Sequence, residues 1–220
     1  MGTRVYAVRV GDRYDQSVED YINSKIDNVT WIREESIGKL QWNKLIPMSL
    51  DIDDPVCVID IDVALINDYM DMINYPIEQG EFLAAQRWWY EIADPRYKLQ
   101  GGFQKYYPKD CRYIYDKFVS NPEYWMEYYI KNGTTIGPVN GEQYFVQDSV
   151  EERLKLKYLP ATWTTTWIDF GELREDFLVA CNIAYPGEYA YIDEFNPEIR
   201  LVHYQERNTP HKDSLEARGW

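Results

Sequence analysis

Apolar and polar positions along this chain switch between a period of two and a helical period. Val5-Tyr6-Ala7-Val8-Arg9-Val10 is rich in β-branched residues and stops at Gly11-Asp12, which predicts a strand over 5–10. From Asp15 to Asp27 the apolar residues Val18, Tyr21, Ile22 and Ile26 recur at helical spacing. The chain therefore opens strand–loop–helix, with Gly11-Asp12-Arg13-Tyr14 as the loop. Val29-Thr30-Trp31-Ile32 predicts a second strand. After Pro55, Val56-Cys57-Val58-Ile59 is a continuous apolar run of the kind found in strands buried on both faces. It runs straight into Asp60-Ile61-Asp62.

Further on, 64–75 predicts a short helical segment that ends before Pro76. Residues 81–90 fit a helix by propensity or a strand by their aromatics. Tyr97 to Phe103 predicts a strand carrying the paired glycines Gly101 and Gly102, and glycine inside a strand marks close approach of backbone or ligand. Helices are expected over 113–119 and 122–131, the second stopped by Asn132-Gly133. Gly141 to Val146 follows a Gly-Pro loop, and Ser149-x-x-Glu152 matches a capping box for a short helix. Short strands are expected at 158–160, 163–167 and 189–192, with a last one over 199–204. The stretch from Gln205 to Trp220 is polar. Without repeats or a linker, the 220 residues predict one α/β domain.

A net charge of −14 argues against nucleic acid or an anionic membrane as the main partner, since both need a basic surface. An acidic protein handling a phosphorylated substrate needs local cations or a metal. Cys57, Cys111 and Cys181 show no metal-ligand spacing and point to a reducing compartment. No signal region or membrane-spanning stretch is visible, so a cytoplasmic location is expected. The 20 Tyr and 8 Trp either stiffen the core or stack on sugars and bases.

Asp60 and Asp62 carry the candidate chemistry. Residues two apart in a strand share a face, and two carboxylates on one face repel. A divalent cation removes that cost, and hard oxygen ligands suit Mg²⁺ or Mn²⁺. Ligands of open α/β sheets sit at the carboxyl ends of strands, where this pair is expected. The plain alternative is a strand end that faces water. Asp51-Ile52-Asp53 follows no apolar strand and reads as a solvated loop.

Taken in order, these segments resemble a glycosyltransferase of the GT-A fold, most similar to small soluble enzymes of phages, large viruses and bacteria. The marks are the opening strand with its Gly11…Tyr14 loop, Trp42-x-Lys44-Leu45, Asp60-x-Asp62, Gln100-Gly101-Gly102-Phe103, Gly141-Glu142-Gln143 and Val202-His203-Tyr204. The resemblance implies a Rossmann-like, mixed, mostly parallel sheet flanked by helices. Residues 1–100 would bind nucleotide and metal, 101–204 would form the acceptor side, and 205–220 a polar tail. Asp60 and Asp62 would hold Mn²⁺ or Mg²⁺ against the donor's pyrophosphate. His203 would complete the metal shell, although a lone histidine on an apolar strand also reads as a structural side chain.

The opening loop would receive base and ribose, which implicates Arg9, Gly11, Tyr14 and Lys44; a surface lysine is the alternative for Lys44. Gln100, Gly101 and Gly102 match the turn near the donor sugar, with Gln100 in the family's Asn position. Glu142 matches an acidic residue facing acceptor or anomeric carbon. It would be the base of an inverting enzyme or would position the sugar in a retaining one; alternatively it is a glutamate favoured by the helix dipole. The run after His203 departs from the family: Glu206 replaces a glycine and Thr209 a phosphate-binding lysine, leaving Arg207, Lys212 or no residue in that role. Acceptor contacts are expected from Tyr106, Tyr107, Trp163 and Trp167.

The implied reaction moves a sugar from a nucleoside-diphosphate sugar, expected to be a uridine one, to a hydroxyl acceptor. An NDP-sugar hydrolase, a sugar nucleotidyltransferase and a non-catalytic carbohydrate-binding protein are the alternatives. Asp60→Ala is expected to stop metal-dependent turnover and leave the fold intact.

Overall fold

A computed structural model describes residues 2–87, 96–133, 141–166 and 197–203. The strands are β1 (Arg4–Val8), β2 (Thr30–Ile32), β3 (Val56–Ile59), β4 (Val63–Leu65), β5 (Glu81–Gln86), β6 (Leu99–Tyr106), β7 (Lys155–Tyr158), β8 (Thr164–Thr166) and β9 (Leu201–His203). The α-helices are α1 (Gln16–Lys25), α2 (Met70–Asn74), α3 (Pro108–Val119), α4 (Pro122–Gly133) and α5 (Glu142–Arg153), and a 3-10 stretch runs over Leu40–Ser49.

Six strands form one sheet in the order β2-β1-β3-β6-β5-β7. β1 is parallel to β2 and β3, and β7 is parallel to β5. β6 is antiparallel to both β3 and β5, so it alone opposes the other five. The sheet is thus mixed and mostly parallel, as expected. Alternation along β3 explains its apolar run. Val56 and Val58 join a core with the 3-10 stretch and α3 to α5, while Cys57 and Ile59 join a second core with α1, α2, β4 and β9. With both faces covered, every residue of β3 is buried.

α1 starts where Asp15 caps it, its side chain accepting from the Ser17 backbone N–H at 2.8 Å. Ile22 is fully buried on its inner face. In the 3-10 stretch, Trp42 lies flat on Phe118, with ring centroids 4.8 Å apart and planes 10° apart, and tilts against Phe145. The Asn43 carboxamide accepts from the Ser36 N–H and donates to the Gly38 and Leu40 carbonyls. These contacts fix the backbone on either side of Lys44.

Several expectations are corrected. Residues 64–75 are not one helical segment: Val63–Leu65 pair with β9, and tertiary hydrogen bonding overrides local propensity, leaving only α2 as helix. Residues 81–86 settle as strand; 88–90 lie outside the described residues. α3 begins at Pro108, well before residue 113, because proline suits the first helical turn. Ser149 caps nothing. It sits inside α5, fully buried, with its hydroxyl accepting from Lys117 at 3.3 Å. Gly141 precedes that helix at φ +120°, and a side chain there would meet Tyr129 at 2.9 Å. Asp51 and Asp53 are exposed and pair only with Lys109 among the described residues. Cys181, Tyr189–Ile192 and the polar tail lie outside the described residues.

No helix among the described residues is long and apolar enough to cross a membrane. Trp42→Ala empties the stack between the 3-10 stretch and α3, and it should destabilise the fold by about 3–5 kcal/mol. Urea unfolding followed by circular dichroism measures this; a loss under about 1 kcal/mol contradicts the packing role.

Candidate active site

The chain leaves the six-stranded sheet at Ile59 and enters a three-stranded sheet, β4-β9-β8, at Val63. Asp60, Ile61 and Asp62 make that crossing. The Asp60 N–H donates to the Gly102 carbonyl at 2.9 Å, the last tie to β6. β9 runs antiparallel to β4 with His203 opposite Val63, which sets the imidazole beside Asp62. Ligand atoms of Asp60, Asp62 and His203 all lie within 4.8 Å of one another. The two carboxylates converge because the chain turns between sheets, not because they alternate along one strand.

Each of these side chains also has a protein donor. Lys44, buried under the site, pairs with Asp60 Oδ1 and donates to the Gly101 carbonyl at 3.1 Å. Burial opposes its charge, but Asp60 and then Glu142 more than offset this and hold the Lys44 pKa above its ordinary value. The Tyr14 hydroxyl donates to Asp62 Oδ2 at 3.2 Å. Burial first, and then Asp62, push its pKa far up, so it stays a donor. His203 Nε2 lies 3.0 Å from the Gln100 side-chain nitrogen, and Gln100 Oε1 accepts from the Gly102 N–H at 2.9 Å. Burial lowers the His203 pKa against the pull of Asp62 and Asp60, which favours the neutral imidazole a metal requires.

Gly102 is glycine for a steric reason. A Cβ there would stand 2.1 Å from His203 Nε2, so the ring occupies the space a side chain would fill. Glu142 opens α5, nearly fully buried, and its Oε1 accepts from the Gln104 amide at 3.1 Å. Burial pushes its pKa up to about 7, against the opposing pull of Lys44 and Gln104. A Cβ on Gly101 would lie 3.2 Å from Glu142 Oε2, so the paired glycines admit both the carboxylate and the imidazole.

The other expected site residues are placed as follows. Arg9 donates to Glu19 at 2.5 Å and to the Tyr14 carbonyl at 3.2 Å, tying the opening loop to α1. Gly11 turns that loop at φ +78°. Lys44 is buried rather than a surface lysine. Tyr106 is fully buried and stacks on Phe82, so it belongs to the core and not to an acceptor surface. The Tyr107 hydroxyl donates to the Ile77 carbonyl at 3.4 Å, and Trp163 packs edge-on against Tyr75. Arg207, Lys212 and Trp167 lie outside the described residues. Sequence reasoning assigned no role to Gln104 or to Gln143, whose Oε1 accepts from the Gly101 N–H at 3.2 Å. The available signal was a glutamine, Gln104, set between Phe103 and Tyr106 in a strand, and for Gln143 its place next to Glu142.

Two carboxylates and a neutral imidazole form a donor set that suits Mn²⁺, and Mg²⁺ through its oxygens. The carboxylates keep unused lone pairs beside Lys44 and Tyr14. Asp60→Ala, however, would leave Lys44 buried without its carboxylate partner, so that substitution costs stability and does not leave the fold untouched.

No protein-family model and no curated sequence matches the chain. Solved structures do match. The glycosyltransferase GlyE of Streptococcus pneumoniae TIGR4 superposes with a TM-score of 0.57 at 14% identity, covering 94% of this chain and 56% of that one. The galactosyltransferase LgtC, solved with donor and acceptor sugar analogues, gives 0.52 at 12% identity over 92% of this chain and 76% of its own. The bifunctional WbbM gives 0.50 at 11% identity over 99% of this chain and 51% of its own. The chain spans little more than half the length of GlyE. It has the GT-A fold of these glycosyltransferases.

The Glu142 carboxyl generates a pH prediction. Its folded pKa of about 7 lies above the ordinary 4.5, so between these values the folded chain holds a proton that the unfolded chain releases. Stability on this account falls as pH rises through that window and is flat above it. Glu142→Gln should gain on wild type by up to about 3 kcal/mol at about pH 8 and match it near pH 4. Urea midpoints across that range check this; parallel curves contradict it.

Proposed function

We propose that this chain is a metal-dependent glycosyltransferase that moves a sugar from a nucleoside-diphosphate sugar, a uridine one, to a hydroxyl acceptor. The observation that carries the reading is the meeting of Asp60, Asp62 and His203 where β3 leaves the sheet, in a chain with the GT-A fold. Residues 1–100 supply the nucleotide and metal side and 101–204 the acceptor side, with His203 reaching back to the metal. Cys57 and Cys111 are buried free thiols, which supports a reducing, cytoplasmic setting, the host's if the source is viral.

Asp60, Asp62 and His203 would hold Mn²⁺ or Mg²⁺. When bound, the cation stabilises the charge that builds on the leaving diphosphate. Lys44 pairs with Asp60 and adds fixed positive charge under the site. Tyr14 orients Asp62 and closes the opening loop over it. Gly101 and Gly102 let Glu142 and His203 come up against the backbone of β6, beside which the donor sugar would lie. Glu142, poised near neutral pH and oriented by Gln104, can take a proton from an acceptor hydroxyl or hold the donor sugar. Arg207 or Lys212 is proposed as a further phosphate contact.

Thermal unfolding with a panel of nucleoside diphosphates tests the reading. UDP with Mn²⁺ at saturating levels should raise Tm by about 5–10 °C, and EDTA should abolish the shift. A shift with free sugar alone, unaffected by EDTA, overturns it in favour of a carbohydrate-binding protein.

Asp62→Asn keeps the Lys44–Asp60 pair and is the cleaner test of chemistry. It should lower the rate of UDP release from a UDP-sugar by about a hundredfold or more. Turnover equal to wild type refutes the assignment.

A further inference from the structure

The three side chains of the proposed metal centre differ in what their protein donors take from them. A carboxylate has two oxygens and about four lone pairs, so Asp60 keeps acceptor capacity beside Lys44, and Asp62 beside Tyr14. A neutral imidazole has one lone pair. His203 Nε2 lies 3.0 Å from the Gln100 amide nitrogen, with both side chains buried.

The orientation of that amide is set by the backbone. Gln100 Oε1 accepts from the Gly102 N–H at 2.9 Å, so the amide oxygen faces Gly102 and the NH₂ faces the ring. An NH₂ group only donates; Nε2 must therefore accept, and the ring proton sits on Nδ1. In this arrangement neither nitrogen is open to a cation. Nε2 has its lone pair in the hydrogen bond, and Nδ1 carries hydrogen. If Nε2 ligates, the amide has to move off it. If Nδ1 ligates, Nε2 takes the hydrogen and the amide has to flip, setting its NH₂ against the Gly102 N–H. Either route breaks a buried hydrogen bond.

From this we infer that Gln100 is a positioning residue that opposes cation binding at His203, so that the metal is held weakly by the protein alone and strongly only together with further ligands such as diphosphate oxygens. The inference rests on the reading of Asp60, Asp62 and His203 as metal ligands. The missing side chain of Gly102 leaves room for the ring and the amide to meet.

The test is a titration with Mn²⁺ alone, following the electron paramagnetic resonance signal of the free ion. Gln100→Met keeps the length of the side chain and removes the donor. It should bind Mn²⁺ about five- to tenfold more tightly than wild type, the worth of one net hydrogen bond. The gain should vanish when His203→Ala is added. Gln100→Asn, which withdraws the amide by one methylene, should move affinity the same way and serves if the Met variant folds poorly. As a readout independent of affinity, Zn²⁺, a diamagnetic cation that accepts imidazole, should shift the Gln100 side-chain NH₂ and His203 ring nitrogen resonances together.

Affinity in both Gln100 variants at or below wild type, with Asp62→Asn still weakening binding, overturns the role of Gln100 and leaves the metal centre standing. Equal affinity of wild type, Asp62→Asn and His203→Ala removes the metal centre and the role of Gln100 with it.

Discussion

Electrostatic repulsion between Asp60 and Asp62 is the constraint around which the structure is arranged. Two half-buried acidic groups sit just past a strand buried on both faces, close enough together that like charge is costly. Lys44 answers the first and Tyr14 the second. Lys44 can do so only because the 3-10 stretch is locked by Trp42 and Asn43. Tyr14 can do so because Arg9 and Glu19 hold its loop against α1. Packing far from the centre thus reaches the two carboxylates through a lysine and a tyrosine.

The paired glycines of β6 are the second half of the arrangement. Gly101 makes room for Glu142, and Gly102 for His203. Their carbonyls also serve, one accepting from Lys44 and the other from the Asp60 N–H. Because β6 runs against its neighbours in the middle of the sheet, it sets α5 on one side and β9 on the other around a single short backbone segment. An acid with a raised pKa and a neutral imidazole can then share the site without touching.

Much of this was legible in the residues. The apolar run into Asp60-x-Asp62, the helical stripe of α1 and the Gly101-Gly102 pair each carry a local physical signal, and each is where it was expected. The rest depended on partners distant in sequence. Val63-Ala64-Leu65 is too short to show a period, and only pairing with β9 makes it a strand. Ser149-x-x-Glu152 has the letters of a capping box but lies inside a helix that starts at Glu142. Tyr106 resembled an acceptor contact because tyrosine is amphipathic, yet its ring is stacked in the core. Hydrogen bonds of Gln100 and Gln104 to His203 and Glu142 span separations that no local pattern encodes.

The register that sets His203 opposite Val63 joins two stretches 140 positions apart in sequence. Closing so long a loop is entropically slow, and nothing local rewards it before the strands meet. The centre therefore matures late: the acidic half can be shaped by its immediate neighbours while the imidazole half is still absent. A chain emerging from the ribosome would carry the two aspartates, their lysine and their tyrosine for well over a hundred residues of synthesis before His203 arrives.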